Sequence, residues 1–170
     1  MKKFIALACI ATLAVSAQAV ILGFEAGYLI DSEEEYLSVR LGHALKSDTN
    51  LVHQIEAEIG FTDMSDAGIK GDIVPVMVNY RAETIAANKL GFYFGAGAGF
   101  ARTSVSGFGV SDDDTSFGAQ AFTGVNYQAS ETVTLHLGAR YLWIDEVKLF
   151  GTSLEVGDEV AISAGISFRF

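Results

Sequence analysis

The chain has 170 residues, half of them hydrophobic, with 21 acidic residues against 11 basic residues and one cysteine. This excess of acid argues against nucleic-acid binding, because the phosphate backbone requires a basic surface. One cysteine excludes an intrachain disulfide, and the three histidines, His43, His53 and His136, lack the spacing of zinc ligands.

Residues 1–19 have the build of a secretory signal peptide. Two lysines precede an apolar run that starts at Phe4, and the stretch ends on the small-x-small sequence AQA at Ala19. The apolar run of 16 residues is shorter than the roughly 20 residues that a membrane-spanning helix needs. We therefore predict cleavage after Ala19, which leaves residues 20–170 as one cysteine-free domain.

Apolar residues beyond Ala19 recur with period two in segments of about ten residues that are separated by polar turns. Eight such segments follow in chain order: 21–30, 36–45, 51–61, 73–82, 90–105, 116–128, 132–144 and 159–170. The connections alternate between long and short, apart from a modest first loop and a seven-residue fourth connection. This pattern predicts an all-β fold, an eight-stranded antiparallel up-and-down transmembrane β-barrel.

Two segments leave a helical alternative open. Ser32 and Glu35 fit a capping box before segment 36–45, and Leu51, Ile55 and Ile59 recur at helical spacing. Taken alone, these stretches would form a helical hairpin. The six other segments favour strands, because they are rich in Val, Ile, Phe, Tyr and Gly.

The two-residue period assigns one face of each strand to lipid and the other to the lumen. The lipid face holds no acid, lysine or arginine, and His43 and His53 extend it at strand ends. Its aromatic residues form two predicted girdles: Tyr80, Phe92, Tyr127, Phe168 and Phe170 at one end, and Tyr28, Phe61, Phe100, Phe117, Tyr141 and Trp143 at the other.

The lumen face collects charged residues that we predict to form one network. They are Glu25, Arg40, Glu56, Glu58, Arg81, His136, Arg140 and Arg169. Eight strands enclose a space just wide enough for side chains, so these charges must pair. The network predicts a plugged lumen, and a gate or proton path is the alternative. The same register predicts that Ala164→Arg harms the barrel, whereas Gly165→Ser is mild.

The chain resembles the small outer-membrane β-barrel family of Gram-negative bacteria, which includes the transmembrane domain of outer-membrane protein A and porin-family relatives. The resemblance rests on the signal ending SAQA, the segments IVPVMVNYRA and LGFYFGAGAGF, and the terminal ISAGISFRF. It implies a location in the outer membrane after export across the inner membrane. It also implies that Phe170, with Phe168, marks the last strand for the barrel assembly machinery.

We therefore expect a non-enzymatic integral outer-membrane protein with a structural or surface-interaction role. Its expected partners are outer-membrane lipid and lipopolysaccharide, and no cofactor, metal or nucleic acid is expected. Acidic loops such as DSEEE and SDDDT either bind divalent cations that bridge lipopolysaccharide or are solvated tips.

Three alternatives are kept. A porin-like channel for small solutes or ions is disfavoured because an open pore takes about 16 strands. A lipid-modifying enzyme is disfavoured because no serine pairs with His136 by spacing. A soluble ligand-binding barrel is disfavoured by the charged interior.

Overall fold

A computed structural model describes residues 20–45, 51–66, 69–84, 89–107, 110–149, 152–154 and 157–170, so the predicted signal peptide lies outside the described residues. The described chain is almost entirely β-structure. Its strands are β1 (Val20–Leu29), β2 (Glu34–Leu45), β3 (Leu51–Asp66), β4 (Ile69–Thr84), β5 (Leu90–Gly107), β6 (Val110–Gln128), β7 (Val133–Ile144), β8 (Val147–Leu149), β9 (Thr152–Leu154) and β10 (Gly157–Arg169). Among these residues, no helix is long and apolar enough to cross a membrane.

Eight of the strands close into a barrel. Each strand pairs antiparallel with its neighbour, and β1 closes the ring by pairing with both β2 and β10. The short strands β8 and β9 form a separate hairpin between β7 and β10. The predicted eight-stranded antiparallel barrel is confirmed, and the two segments that also fitted helices are strands β2 and β3.

The barrel places apolar side chains outside and polar side chains inside. Outward-facing Phe92, Phe100 and Val78 are 63%, 62% and 62% exposed, whereas inward-facing Arg81 and Glu56 are each 1% exposed. A soluble barrel has the opposite arrangement, with apolar side chains filling its interior. The outward side chains therefore suit contact with hydrocarbon, and the inward polar side chains are buried inside the barrel.

The outward aromatic residues lie near the two ends of the barrel. We call the end that holds Val20 and Phe170 the inner end, and the opposite end the outer end. At the outer end, the ring of Phe117 makes edge-to-face contacts with Phe100 and Trp143, at centroid distances of 6.2 and 6.1 Å. At the inner end, the hydroxyl of Tyr80 contacts the ring of His53.

Two of the predicted loops continue the barrel strands, and a third, residues 145–158, contains the hairpin β8–β9. The sequence assigns residues 62–72 and 106–115 to connections, but the β3–β4 ladder continues to Asp66 opposite Ile69, and the β5–β6 ladder to Gly107 opposite Val110. The expected boundaries were wrong here because these extensions have no apolar face, and a period-two hydrophobic pattern detects only strands that have one. We call this extension the crown, defined as residues 62–66, 69–73, 102–107 and 110–116.

The hairpin β8–β9 is attached to the crown by one carboxylate. Asp114 on β6 accepts hydrogen bonds from the backbone N–H groups of Lys148, at 2.6 Å, and Thr115, at 2.8 Å. These two bonds, the Lys148 bond first, hold the pKa of the Asp114 carboxyl below its usual value. The N–H of Asp145 also donates to the carbonyl oxygen of Phe117, at 2.9 Å. These bonds hold residues 145–148 against β6.

Two lumen-side positions are glycine because neighbouring atoms lie too close for a side chain. A Cβ on Gly60 would lie 2.5 Å from the hydroxyl of Tyr36 and 2.9 Å from Pro75, so the missing side chain leaves room for both. A Cβ on Gly165 would lie 2.7 Å from the backbone oxygen of Phe24. The expectation that Gly165→Ser is mild was therefore wrong, since backbone of the neighbouring strand β1 would have to shift.

Candidate functional site: the polar lumen

The outer part of the lumen holds a chain of ion pairs that links four strands. The guanidinium of Arg140 lies 2.9 Å from Glu25 and 2.7 Å from Glu58, and Arg40 lies 3.1 Å from the other oxygen of Glu25. Arg40 also faces Glu56, at the longer distance of 3.8 Å. The side chains come from β1, β2, β3 and β7, so the pairs link distant parts of the ring across its interior.

Glu58 is the most connected acid of the lumen. In addition to the ion pair with Arg140, the oxygens of Glu58 accept three hydrogen bonds. The donors are Asn79 at 2.6 Å, Gln120 at 3.0 Å and the hydroxyl of Tyr36 at 3.2 Å. Arg140 in turn donates to the amide oxygen of Gln120 at 2.5 Å. A buried carboxylate needs this number of donors, because burial removes it from water.

A second cluster lies closer to the inner end. Glu83 is 3.4 Å from Arg81 and accepts hydrogen bonds from Gln54, at 2.9 Å, and Asn126, at 2.8 Å. The sequence interpretation missed Glu83, because it ended the fourth segment at residue 82 and assigned the glutamate to the following connection. The signal was its spacing, since Arg81 and Glu83 are two residues apart and therefore share the lumen face.

Arg81 is held between aromatic rings and a histidine. Its guanidinium carbon lies 3.8 Å from the centroid of Tyr93 and 5.8 Å from that of Phe122, within the range of cation–π contact. Nη2 of Arg81 also donates a hydrogen bond to Nδ1 of His136, at 2.9 Å. Nε2 of the same ring lies 2.8 Å from Oγ of Ser167. Since arginine only donates, Nδ1 is the acceptor and Nε2 carries the proton toward Ser167.

The contact between His136 and Ser167 overturns one expectation. The sequence spacing indicated no serine partner for His136, yet strand pairing between β7 and β10 brings Ser167 to it. A nucleophilic serine needs a base that is oriented by a carboxylate. Here the other ring nitrogen accepts from a cation, which disfavours a positively charged imidazole, so the pair is a poor general base.

The remaining predicted lumen residues, Arg169 and Glu56, have fewer contacts. Arg169 faces a crevice at the inner end, beside Lys89 and Thr134, and within the described ranges no ion pair joins it to a carboxylate. Glu56 is as buried as Arg81, but one of its oxygens has no hydrogen-bond partner in the described structure. The described network thus combines four carboxylates with three guanidinium groups.

Apolar side chains lie beyond the ion pairs toward the outer end. They form two buried clusters: Ile73, Met77, Ala101, Leu142 and Ile144; and Leu29, Tyr36 and Ala161. Like the charged residues of the lumen, these side chains are almost inaccessible to solvent. Among the described residues, no group of three or more histidine, cysteine or acidic side chains is placed to hold a metal ion.

Comparison with known proteins points to one family. A family model described as outer membrane protein beta-barrel domain matches residues 5–170. The structure of Neisserial surface protein A is similar, at 21% identity over 91% of this chain and 98% of that chain, with a TM-score of 0.68. No curated protein matches the chain.

Two further structures share the fold. Ail, the attachment invasion locus protein of Yersinia pestis, is 14% identical over 90% of this chain and 97% of that chain, with a TM-score of 0.56. The outer membrane enzyme PagL is 12% identical over 86% of this chain and 97% of that chain, with a TM-score of 0.52. These structural likenesses show the fold alone, whereas the family model covers nearly the whole sequence. The chain therefore belongs to the outer membrane protein beta-barrel domain family, and its place is the outer membrane.

Proposed function

We propose that the protein is a non-enzymatic component of the outer membrane whose lumen is closed to solutes and whose crown faces the cell exterior. The observation that carries the proposal is the buried ion-pair network of the lumen, in which Arg140 lies 2.9 Å from Glu25 and 2.7 Å from Glu58. An eight-stranded barrel is just wide enough for its side chains, so a paired network across it leaves little room for solutes.

The proposed orientation follows from the crown. Barrels of the outer membrane have short periplasmic turns and longer segments on the outside. The crown extends the chain beyond the outer aromatic girdle, so we assign the outer end to the cell surface. Asp63, Asp72 and Asp113 make this surface acidic. Its proposed partners are lipopolysaccharide, through bridging cations, and other surfaces outside the cell.

Planar-bilayer recording tests the closed lumen. We expect the parent protein to pass no large, steady current after insertion. A large and steady open conductance would reject the plugged lumen and favour the channel alternative. As a check on insertion, the same preparation is run on a gel before and after boiling, because a folded barrel changes its mobility.

Single cysteines test the orientation. Ser111→Cys lies in the crown and Ala129→Cys lies in a turn at the inner end, and both positions are exposed. The parent has only Cys9, within the predicted signal peptide, so the background is low. On intact cells, a membrane-impermeant maleimide should label Ser111→Cys and not Ala129→Cys. The reverse labelling would place the crown in the periplasm.

An enzymatic alternative has one observation in its favour, the 2.8 Å contact between His136 and Ser167. PagL, a structural neighbour, is an outer membrane enzyme. We infer that this pair is structural, because Arg81 takes the position that an orienting carboxylate would need. A fluorophosphonate probe should leave the parent unlabelled. Labelling that disappears in Ser167→Ala would reject the non-enzymatic role.

A further inference from the structure

A polar crevice opens at the inner end of the lumen, next to the cluster of Arg81 and Glu83. Its lining residues come from β4, β5, β6, β7 and β10, together with Lys89, which directly precedes β5. The volume of the crevice is about 40 Å³. A space of about 10 to 15 Å³ holds one water molecule, so the crevice has room for a chemical group of a few heavy atoms.

Two cationic residues line this crevice, Arg169 and Lys89. Neither side chain makes a hydrogen bond or an ion pair with the residues that the structure describes. Their backbones are fixed, because the N–H of Arg169 donates to the carbonyl oxygen of Thr132, at 2.9 Å, and the N–H of Gln128 donates to the carbonyl oxygen of Lys89, at 2.8 Å. The two cationic residues are therefore anchored at the crevice, while their charges are not paired.

The acids near the crevice do not pair with these two cations. Glu83 lines the crevice, but its carboxylate faces Arg81 at 3.4 Å and accepts hydrogen bonds from two buried side-chain amides. Glu131 lies in the exposed turn between β6 and β7 and forms no ion pair within the described ranges. Residues 85–88 have the uncharged sequence IAAN, and residues 46–50, with one lysine and one aspartate, lie outside the described residues.

Neutral donors complete the lining of the crevice. The side chains of Gln128 and Thr134 make no hydrogen bond with the described residues, so their N–H and O–H groups remain available to a ligand. Gly91 keeps the space between β4 and β6 open, because a Cβ there would collide with the carbonyl oxygen of Thr84 and with Oδ1 of Asn126. The crevice thus offers two cations and two neutral donors to one small group.

We propose that the crevice binds one phosphate group through Arg169 and Lys89. A guanidinium group donates two parallel hydrogen bonds to phosphate oxygens, and a lysine ammonium adds a second charge on a flexible stem. The phosphate belongs to a free phosphate ion or to a phospholipid headgroup at the rim of the barrel, since both present the same oxygens. With the orientation proposed above, the site faces the periplasm.

Phosphate titration followed by NMR tests the proposal. The folded, nitrogen-15-labelled protein is placed in phosphatidylcholine nanodiscs, and sodium phosphate replaces sodium chloride at constant ionic strength and pH. We expect saturable shifts of the backbone amide of Gly91 and the side-chain amide of Gln128, and no shift of the backbone amide of Ser111 in the crown. A parent protein without these shifts, or with shifts that rise without saturation, would overturn the proposal.

Charge variants assign the binding to the two cations. Arg169→Gln and Lys89→Gln should each weaken phosphate binding about fivefold, the upper end for an ion pair that stays in contact with water. Arg169→Lys keeps the charge and should retain most of the affinity. Arg102→Gln is the matched control, because it removes the same charge at the outer end, and it should bind as the parent does. Gel mobility before and after boiling establishes that each variant is folded. Equal affinity in the parent and Arg169→Gln, or an equal loss in Arg102→Gln, would overturn the proposal.

Two comparisons complete the test. A phosphate response that appears only in Glu131→Gln would overturn the proposal, because Glu131 would then be the partner of Arg169. Nanodiscs of phosphatidylglycerol without free phosphate distinguish the two sources: the same shifts there identify a lipid headgroup, whereas shifts with inorganic phosphate alone identify the free ion. If cysteine labelling places the crown in the periplasm while phosphate still binds, the site stands and faces the cell exterior.

Discussion

Replacement of Glu58 by glutamine tests the lumen network at its most connected acid. The carboxylate lies 2.7 Å from Arg140 and accepts from Asn79, Gln120 and Tyr36. Glutamine has the same size but only one acceptor oxygen, so its NH₂ group would face donors, and Arg140 would lose a partner. Removal of one partner from a buried ion pair typically costs about 3 to 5 kcal/mol, and we expect a loss of that size in the free energy of unfolding.

Glu56→Gln is the matched control. Glu56 is on the same strand, two residues away and equally buried, but its ion pair with Arg40 spans 3.8 Å and one of its oxygens has no hydrogen bond in the described structure. Its removal would leave three acids with three arginines in the network. The stability should change by less than about 1 kcal/mol, because the desolvation of a weakly paired charge offsets most of its attraction.

Urea unfolding from lipid vesicles measures both variants. Trp143 is the single tryptophan of the chain and lies at the outer girdle, so its fluorescence follows loss of the membrane-inserted barrel. Gel mobility before boiling gives a second reading of the folded fraction. Equal losses in the two variants, or a Glu58→Gln protein as stable as the parent, would refute the contact geometry of the lumen network.

Four other substitutions test the register, the crown and assembly. Ala164→Arg should cost about 2 to 4 kcal/mol, and Val160→Arg, near the outer end of the same face, about 0 to 1 kcal/mol; equal costs in vesicle unfolding would reject the assigned depth. Asp114→Asn should increase protease cleavage within β8–β9 at neutral pH. The parent protein should be cleaved to the same extent only at acidic pH, because the lowered pKa keeps Asp114 ionised until the pH falls below that pKa. Similar cleavage of both proteins at neutral pH would contradict this role of Asp114. Phe170→Asp should reduce the amount of protein in outer-membrane fractions, and an unchanged amount would speak against the assembly signal.

Much of the fold follows from the period-two pattern. The pattern separates Glu25, Arg40 and Glu58 from the exposed aromatic residues, because a strand places alternate side chains on opposite faces. It also assigns β2 and β3 correctly against a helical alternative, since a closed ring needs every segment to be a strand. These inferences use only local spacing, which the sequence displays directly.

Pairing across the lumen is not contained in local spacing. The contact of Arg140 with Glu25 joins residues 115 positions apart, and its distance depends on how β10 pairs with both β7 and β1. The same holds for His136 and Ser167, and for the contact between Gly165 and the backbone of β1. Glu83 was not predicted to face the lumen for a simpler reason, because the fourth predicted segment ended one residue too early.

The crown has a consequence for recognition outside the membrane. A flexible loop must lose conformational freedom when it binds, and that loss reduces its affinity. In the crown, the ladders between β3 and β4 and between β5 and β6 continue almost to the tips. At about 3.3 Å per residue, residues 102–107 form roughly 17 Å of regular strand beyond the outer aromatic girdle. A partner would therefore meet groups such as Arg102 and Asp113 already in position, joined at 3.0 Å, and the crown would have little ordering entropy left to lose.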